Sequence, residues 1–423
     1  MKVYNNPARS EWKELVKRPV MDVSSLEESV KKILQEVKQD GDTAVKKFTQ
    51  QFDKASVENL LATPEEFAFA QQSLDASLKA SILSAKVNIE TFHKAQLSEP
   101  EVIETMPGVL CWRKNVAIET VGLYIPGGSA PLFSTVLMLG VPAKLAGCKE
   151  IIVCTPPGKD GNIPHVILFA AKAVGITKVY KAGGVQAIAA MAYGTGTIPA
   201  VSKIFGPGNQ YVTCAKQLVQ QQGVAIDIPA GPSEVAIYAD ETAKPAFVAA
   251  DLLSQAEHGP DSQVMLVSPN AGVIAQVKEE VQKQTELLPR KDIAKQALNN
   301  SKLVVVENDD DAIELLNAYA PEHLILSTDK AEMMAEKVIN AGSVFLGHYS
   351  PESAGDYASG TNHALPTNGY AKAYSGVSVD SFVKKMTFQK LSNQGLKNIS
   401  KTVIAMAEAE GLEAHANAVR IRL

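Results

Sequence analysis

The sequence predicts an α/β protein built on parallel sheets, and three observations carry that expectation. Short apolar runs alternate with helical stretches of roughly 10 to 15 residues, as strands joined by crossover helices do. Glycine-rich turns recur where those runs end. The composition, 46% hydrophobic and 21% charged over 423 residues, is that of a globular chain long enough for two or three domains.

The elements follow in order. Ser24 to about Phe52 is a charged helical stretch in which Leu26, Val30, Ile33, Leu34 and Val37 recur three and four apart. Thr63 to Phe92 reads as more helix, with Thr63-Pro64-Glu65-Glu66 as a capped start. The texture changes at Val121, where Val121 to Ile125 is a short strand followed by Pro126-Gly127-Gly128 and a helix to Ala146. Ile151 to Cys154, Lys178 to Tyr180, Ser202 to Phe205 and Val224 to Ile228 read as further strands. Helices from Pro164 to Val174, Val185 to Tyr193 and Gln210 to Gln221 lie between them. The alternation resumes with a strand from Glu234 to Tyr238, a helix from Pro245 to His258 and a strand from Gln263 to Ser268. Leu303 to Val306, His323 to Leu326 and Ser343 to Leu346 complete the strands. Two α/β domains result, one interrupted by the other. Ser350 to Thr367 reads as a long loop and Asp380 to Leu423 as a separate helical tail.

Charge and cysteine usage narrow the function classes. The net charge of −5, with no long basic stripe, argues against a general nucleic-acid surface. Cys111, Cys148, Cys154 and Cys214 form no CxxC pair and read as free thiols of a reducing compartment. Met1 to Ser10 lacks the apolar core of a secretory signal, and no segment approaches the roughly 20 apolar residues of a membrane span. A cytoplasmic location is expected.

Several segments carry residues suited to chemistry. Backbone N–H groups at glycine-rich helix starts can cradle an anion, although tight turns alone use the same residues. None of these turns is G-x-G-x-x-G. Gln255 and His258 lie three apart at a helix end closed by Gly259-Pro260. They read either as a cation-friendly terminus or as an amide oxygen and an imidazole nitrogen for a metal. Glu322 and His323 follow Pro321 at the start of an apolar run, where a strand end lets neighbouring residues serve one site. Ser353, Asp356 and His363 share the long loop, and Glu410 and His415 flank Gly411 in the tail. His93, His165 and His348 have no comparable setting.

Taken together and in order, these segments resemble histidinol dehydrogenase. The runs that carry the likeness are Val121-Gly-Leu-Tyr-Ile-Pro-Gly-Gly128, Gly183-Gly-Val-Gln-Ala187, Phe205-Gly-Pro-Gly-Asn-Gln-Tyr-Val212 and Ile228-Pro-Ala-Gly-Pro-Ser-Glu234. Asp251-Leu-Leu-Ser-Gln-Ala-Glu-His-Gly259, Ala320-Pro-Glu-His-Leu324 and Gly355-Asp-Tyr-Ala-Ser-Gly-Thr-Asn-His363 complete it, so that it spans nearly the whole chain.

The resemblance implies two incomplete Rossmann-like domains, one inserted in the other. Residues 20–123 and 233–379 would carry metal and substrate, and 124–232 would bind NAD. Residues 1–19 would be an N-terminal extension and 380–423 a helical tail reaching a partner subunit. It implies oxidation of L-histidinol to L-histidine through bound histidinaldehyde, with two NAD, one zinc ion per site and a homodimer. Gln255, His258, Asp356 and His415 would ligate zinc, and Glu322 and His323 would transfer protons. Ser233, His363 and Glu410 would join the substrate site, with Tyr124, Gln186 and Asn209 on NAD. The rivals are a Cys-dependent aldehyde dehydrogenase using Cys111 or Cys154, and a non-catalytic metal or small-ligand binding protein.

Overall fold

Two parallel sheets with one strand order organise the protein. The computed structural model describes residues 1–18, 24–127, 131–228 and 231–423, with the side chains of Ser24 and Ser25 set aside. Gly128, Pro229 and Ala230 of the turns singled out above, and the expected boundary at residues 19 and 20, lie outside the described residues.

The first sheet has five strands, in the order Lys178–Lys181, Glu150–Thr155, Thr120–Tyr124, Lys203–Phe205 and Ala225–Ile226. Numbered by their sequence, that is 3-2-1-4-5, with the order reversing beside the central strand Thr120–Tyr124. Helices Phe133–Ala146 and His165–Val174 cover one face; Gly184–Tyr193 and Gln210–Gln220 cover the other. The second sheet repeats 3-2-1-4-5 with Lys302–Val305, Gln263–Ser268, Glu234–Ala239, His323–Ser327 and Ser343–Leu346, all parallel. A sixth strand, Lys2–Asn5, pairs in parallel with Lys302–Val305 at its edge. Residues 1–18 of the expected N-terminal extension therefore hold a strand as well as helical turns.

The helices Ser24–Asp40, Asp42–Phe48, Pro64–Ser73 and Ala76–Lys94 settle elsewhere than the expected 20–123 and 233–379 unit. The first two pack on Gly184–Tyr193, and the other two on Phe133–Ala146 and His165–Val174. Their apolar stripes, with Val30, Leu34 and Val37 on one and Ile82 and Ile89 on another, are buried there as an outer helical layer of the five-stranded sheet. Gly41, at φ +54°, breaks the first expected helix.

The tail also departs from a wholly helical reading. Val383–Leu391 is a strand pairing antiparallel with Val109–Ala117, which in turn pairs with Val102–Met106. Helices Asn393–Ala409 and Glu413–Arg420 follow it. Among the described residues no helix is long and apolar enough to cross a membrane.

At the end of strand Lys203–Phe205 the chain turns through Gly206, at φ +122°, where an added Cβ would lie 2.0 Å from Tyr124 O. The buried side chain of Asp227 accepts from Gly206 N at 2.7 Å and pairs with buried Lys216, whose Nζ also donates to Gly206 O at 2.8 Å. Lys216→Met would strand the Asp227 charge in the interior. Stability is expected to fall by about 3–5 kcal/mol, read from denaturant unfolding of the two proteins side by side.

Candidate functional site

Glu322 ends the turn that leads into strand His323–Ser327, and the two residues reach one neighbour. Ala320 caps helix Asp309–Tyr319 at φ +52°, and Pro321 then directs the chain into the sheet. Glu322 Oε2 accepts from Glu234 N at 2.9 Å, while His323 Nδ1 donates to Glu234 O at 3.2 Å. Both functional side chains thus hang on the backbone of one residue at the start of the central strand. Gly342 leaves the room this requires, since a Cβ there would lie 2.5 Å from Glu322 O.

Around His323 the chain gathers acid groups. Its Nε2 is 3.5 Å from Asp356 Oδ1, and its Nδ1 is 3.7 Å from Glu322 Oε2 and 3.8 Å from Glu352 Oε1. Asp356 and Glu352 come from a short helix, Glu352–Tyr357, inside what the sequence suggested was a plain loop. His323, Glu352 and Asp356 offer ligand atoms within 4.8 Å of one another. Gln255, in the last turn of Pro245–Ala256, turns Nε2 to His258 Nδ1 at 3.1 Å. His258 stands just past the helix and feels the charge of Asp356.

The electrostatics follow from burial and like charge. Burial pushes the Glu322 carboxyl up to about 8, and Glu352 likewise to about 8. Burial opposes a charged His323, but the carboxylates of Glu352, Glu322 and Asp356 outweigh it and push the imidazole up to about 10. Burial also opposes the Asp356 carboxylate; the His323 imidazole 3.5 Å away prevails and holds it below the usual range. Burial keeps His258 and His363 below theirs, as neutral imidazoles suited to donate a lone pair.

The remaining expected residues divide. Ser233 immediately precedes Glu234, and its carbonyl accepts from Gln263 N at 3.1 Å. His363 spans the seam between the two sheets' units: its Nδ1 donates to Asp356 O at 2.9 Å, and its Nε2 lies 3.1 Å from Thr135 Oγ1. His415 and Glu410 are exposed on the helical pair beyond the three-stranded sheet, and neither belongs to the His323 cluster. Glu352 escaped the sequence reading. Its signal was the i, i+4 spacing to Asp356, which puts both carboxylates on one helix face.

Tyr124, Gln186 and Asn209 line one cavity of about 980 Å³ at the carboxyl ends of the five-stranded sheet. Tyr124 Oη accepts from Gly184 N at 3.1 Å, and Asn209 caps its helix by accepting from Tyr211 N and Val212 N. Phe52, Asp53, Lys32 and Lys159 also line it, from outside the expected motifs. Pro131 is on its rim, and Thr135, one helical turn on, bonds His363, so cavity and cluster adjoin.

A profile of the histidinol dehydrogenase family matches residues 16–423. The chain belongs to that family. It is 59% identical over 423 residues to the histidinol dehydrogenase of Bacteroides thetaiotaomicron, covering 100% of this chain and 99% of that one. The Bacteroides fragilis enzyme is 58% identical, again over 100% of this chain and 99% of its own. The crystal structure of histidinol dehydrogenase from Elizabethkingia anophelis superposes with TM-score 0.98 at 54% identity, covering 100% and 98% of the two chains. Membership makes the protein an oxidoreductase of histidine biosynthesis. The thiol rival finds no support: burial pushes Cys154 far up, and half-buried Cys111 lines a groove on the three-stranded sheet.

Half-buried Asp53 supplies a pH test of the cavity wall. Burial raises its carboxyl to about 6, so the folded state favours the proton and stability falls as pH rises from about 4 through 6. Asp53→Asn is expected to unfold at a higher temperature than the parent at pH 7. The gap should close towards pH 4 in thermal scans across that range.

Proposed function

We propose that the protein oxidises L-histidinol to L-histidine in two successive steps at the Glu322–His323 site, with zinc and NAD, and keeps histidinaldehyde bound between them. One observation carries this reading. Gln255 Oε1, Asp356 Oδ1 and Glu352 Oε2 are all buried with no hydrogen-bond partner. Orphaned buried acceptors are costly, and a cation among them answers that cost. With the neutral imidazole of His258 beside them the donors are oxygen and nitrogen, which suits a borderline ion such as zinc.

Gln255, His258 and Asp356 would hold the zinc, with His415 of a second copy as the fourth ligand. Bound zinc supplies a fixed positive centre that orients an imidazole and amine, and bound NAD supplies the hydride acceptor. The chain does the rest. His323, with Nδ1 donating to Glu234 O, takes the substrate hydroxyl proton at Nε2. That role needs a neutral imidazole, and three surrounding carboxylates call for the same compensating cation. Glu322 has one oxygen fixed by Glu234 N; its raised affinity for protons suits it to deprotonate the water that hydrates the aldehyde. Ser233 and His363, with Glu410 of the second copy, would bind the substrate.

The cavity at the point where strand order reverses supports NAD at Tyr124, Gln186 and Asn209. The sheet and tail module supports a homodimer: Val102, Ile103, Met106, Met386, Met406 and Ile421 leave it apolar and exposed. A cytoplasmic location fits a biosynthetic oxidoreductase.

Zinc-loaded protein is expected to form about two NADH per L-histidinol consumed, because two hydrides leave the substrate. Chelator should abolish turnover and added zinc restore it. One NADH per substrate, with aldehyde released, would contradict the reading. For the shared site, Asp356→Asn and His415→Asn proteins are each expected to be inactive alone. Mixed and allowed to exchange subunits, they should recover part of the activity, measured as NADH formation.

A further inference from the structure

We infer that Arg18 is a positioning residue for the proton-transfer pair, its guanidinium fixing both the Glu234 anchor and the turn that delivers Glu322 and His323. The inference rests on the reading of Glu322 and His323 as that pair.

Apart from its neighbour Val16, everything Arg18 touches is far from it in sequence. Its Nε and Nη2 donate to Glu234 Oε1 and Oε2 at 2.9 and 2.7 Å, a bidentate fork on a side chain that is 0% exposed. Nη1 donates to Tyr319 O at 2.7 Å and to Val16 O at 3.2 Å, and Nη2 reaches Ala320 O at 3.4 Å. The guanidinium carbon sits 3.7 Å over the Tyr319 ring. Glu234 Oε1 accepts in addition from Asn368 N at 3.1 Å.

The two ends of this grip are the two supports of the site. Glu234 presents the N–H and C=O that hold Glu322 and His323. Tyr319 and Ala320 begin the left-handed turn from which that pair departs. One planar group therefore sets the distance between the anchor and the groups anchored. Stability alone does not explain the choice, because a buried ion pair contributes little net stability compared with a well-packed apolar pair. An apolar pair would fill the space without fixing an angle. Lysine would carry the charge without the fork.

The test uses full-length, zinc-loaded Arg18→Met, Arg18→Lys, Arg18→Ala and Glu234→Gln proteins. For each, kcat is measured beside zinc content and the histidinol dissociation constant. For Arg18→Met, kcat is expected to fall about 10- to 100-fold, the scale of an ångström-level misplacement, with zinc content and histidinol affinity retained. Arg18→Lys should fall between it and the parent. Arg18→Ala should regain part of its kcat with added guanidinium ion and none with methylammonium, whereas Glu234→Gln should respond to neither. Val277→Ala, a cavity on the buried face of helix Ala271–Thr285 in the same unit, should lower the unfolding temperature and leave kcat alone.

An unchanged kcat in Arg18→Met and Arg18→Lys would overturn the inference. So would losses of activity, zinc and affinity in the same proportion, which mark simple unfolding. If Arg18→Met does not fold, Arg18→Lys and guanidinium rescue decide the matter. Glu322→Gln and His323→Asn run in parallel. Full activity in both removes the proton-transfer reading itself, whereas loss in both with unaffected Arg18 variants removes only the role of Arg18.

Discussion

An imidazole enclosed by three buried carboxylates sets the terms for this whole region of the protein. Groups so placed cannot be left to solvent or to chance, since an unmatched charge in the interior costs more than the fold can spare. Each is therefore tied to a rigid element. Glu322 and His323 hang on the backbone of Glu234, Glu352 and Asp356 share a short helix, and His363 is held against Asp356 O. The fixed donors bring repulsion with them, which a cation placed among them would relieve. Pre-set geometry and a standing demand for positive charge are two sides of one arrangement.

The two sheets share a strand order but use opposite edges. In the five-stranded sheet the cavity opens at the carboxyl ends, beside the central strand, as open α/β sheets usually have it. In the six-stranded sheet the carboxyl end of the central strand carries hydrogen bonds between neighbouring turns. Asp240 at the end of the central strand accepts from Thr328 Oγ1 at 2.5 Å and from Thr242. The polar cluster lies instead at the amino ends, where helix Pro245–Ala256 finishes and delivers Gln255 and His258. That edge faces helix Phe133–Ala146 of the other unit, through Thr135 and through Asn362 Nδ2 on Met138 O at 2.6 Å. Reversing the edge in one sheet lets the two regions meet.

Much of this was legible in the sequence because burial on both faces leaves a strong trace. Strands such as Gln263–Ser268 and His323–Ser327 stand where their apolar runs put them, and the turn at Pro321 marks the strand end that joins Glu322 to His323. The three-stranded sheet left no such trace. Val383–Leu391 carries Lys, Thr and Gln between its apolar residues and is mostly exposed, so it reads as tail. Glu352 was hidden because its helix is only six residues long. Where helices 24–94 pack was hidden for a different reason: an amphipathic stripe shows that a helix is covered but not by what. The meeting of residues 18, 234, 322 and 356 is tertiary, and no local pattern announces it.

The edge strand Lys2–Asn5 has a consequence for how the molecule is made. Its partner is Lys302–Val305, so that pairing closes a loop of roughly three hundred residues, among the slowest contacts a chain can form. The five-stranded unit, with its helical layer, is built from the continuous stretch between them and can complete itself during synthesis. Assembly therefore runs from the middle outward. Residues 2–5 wait for residues 302–305, and the turn at Pro321 is among the last parts to set.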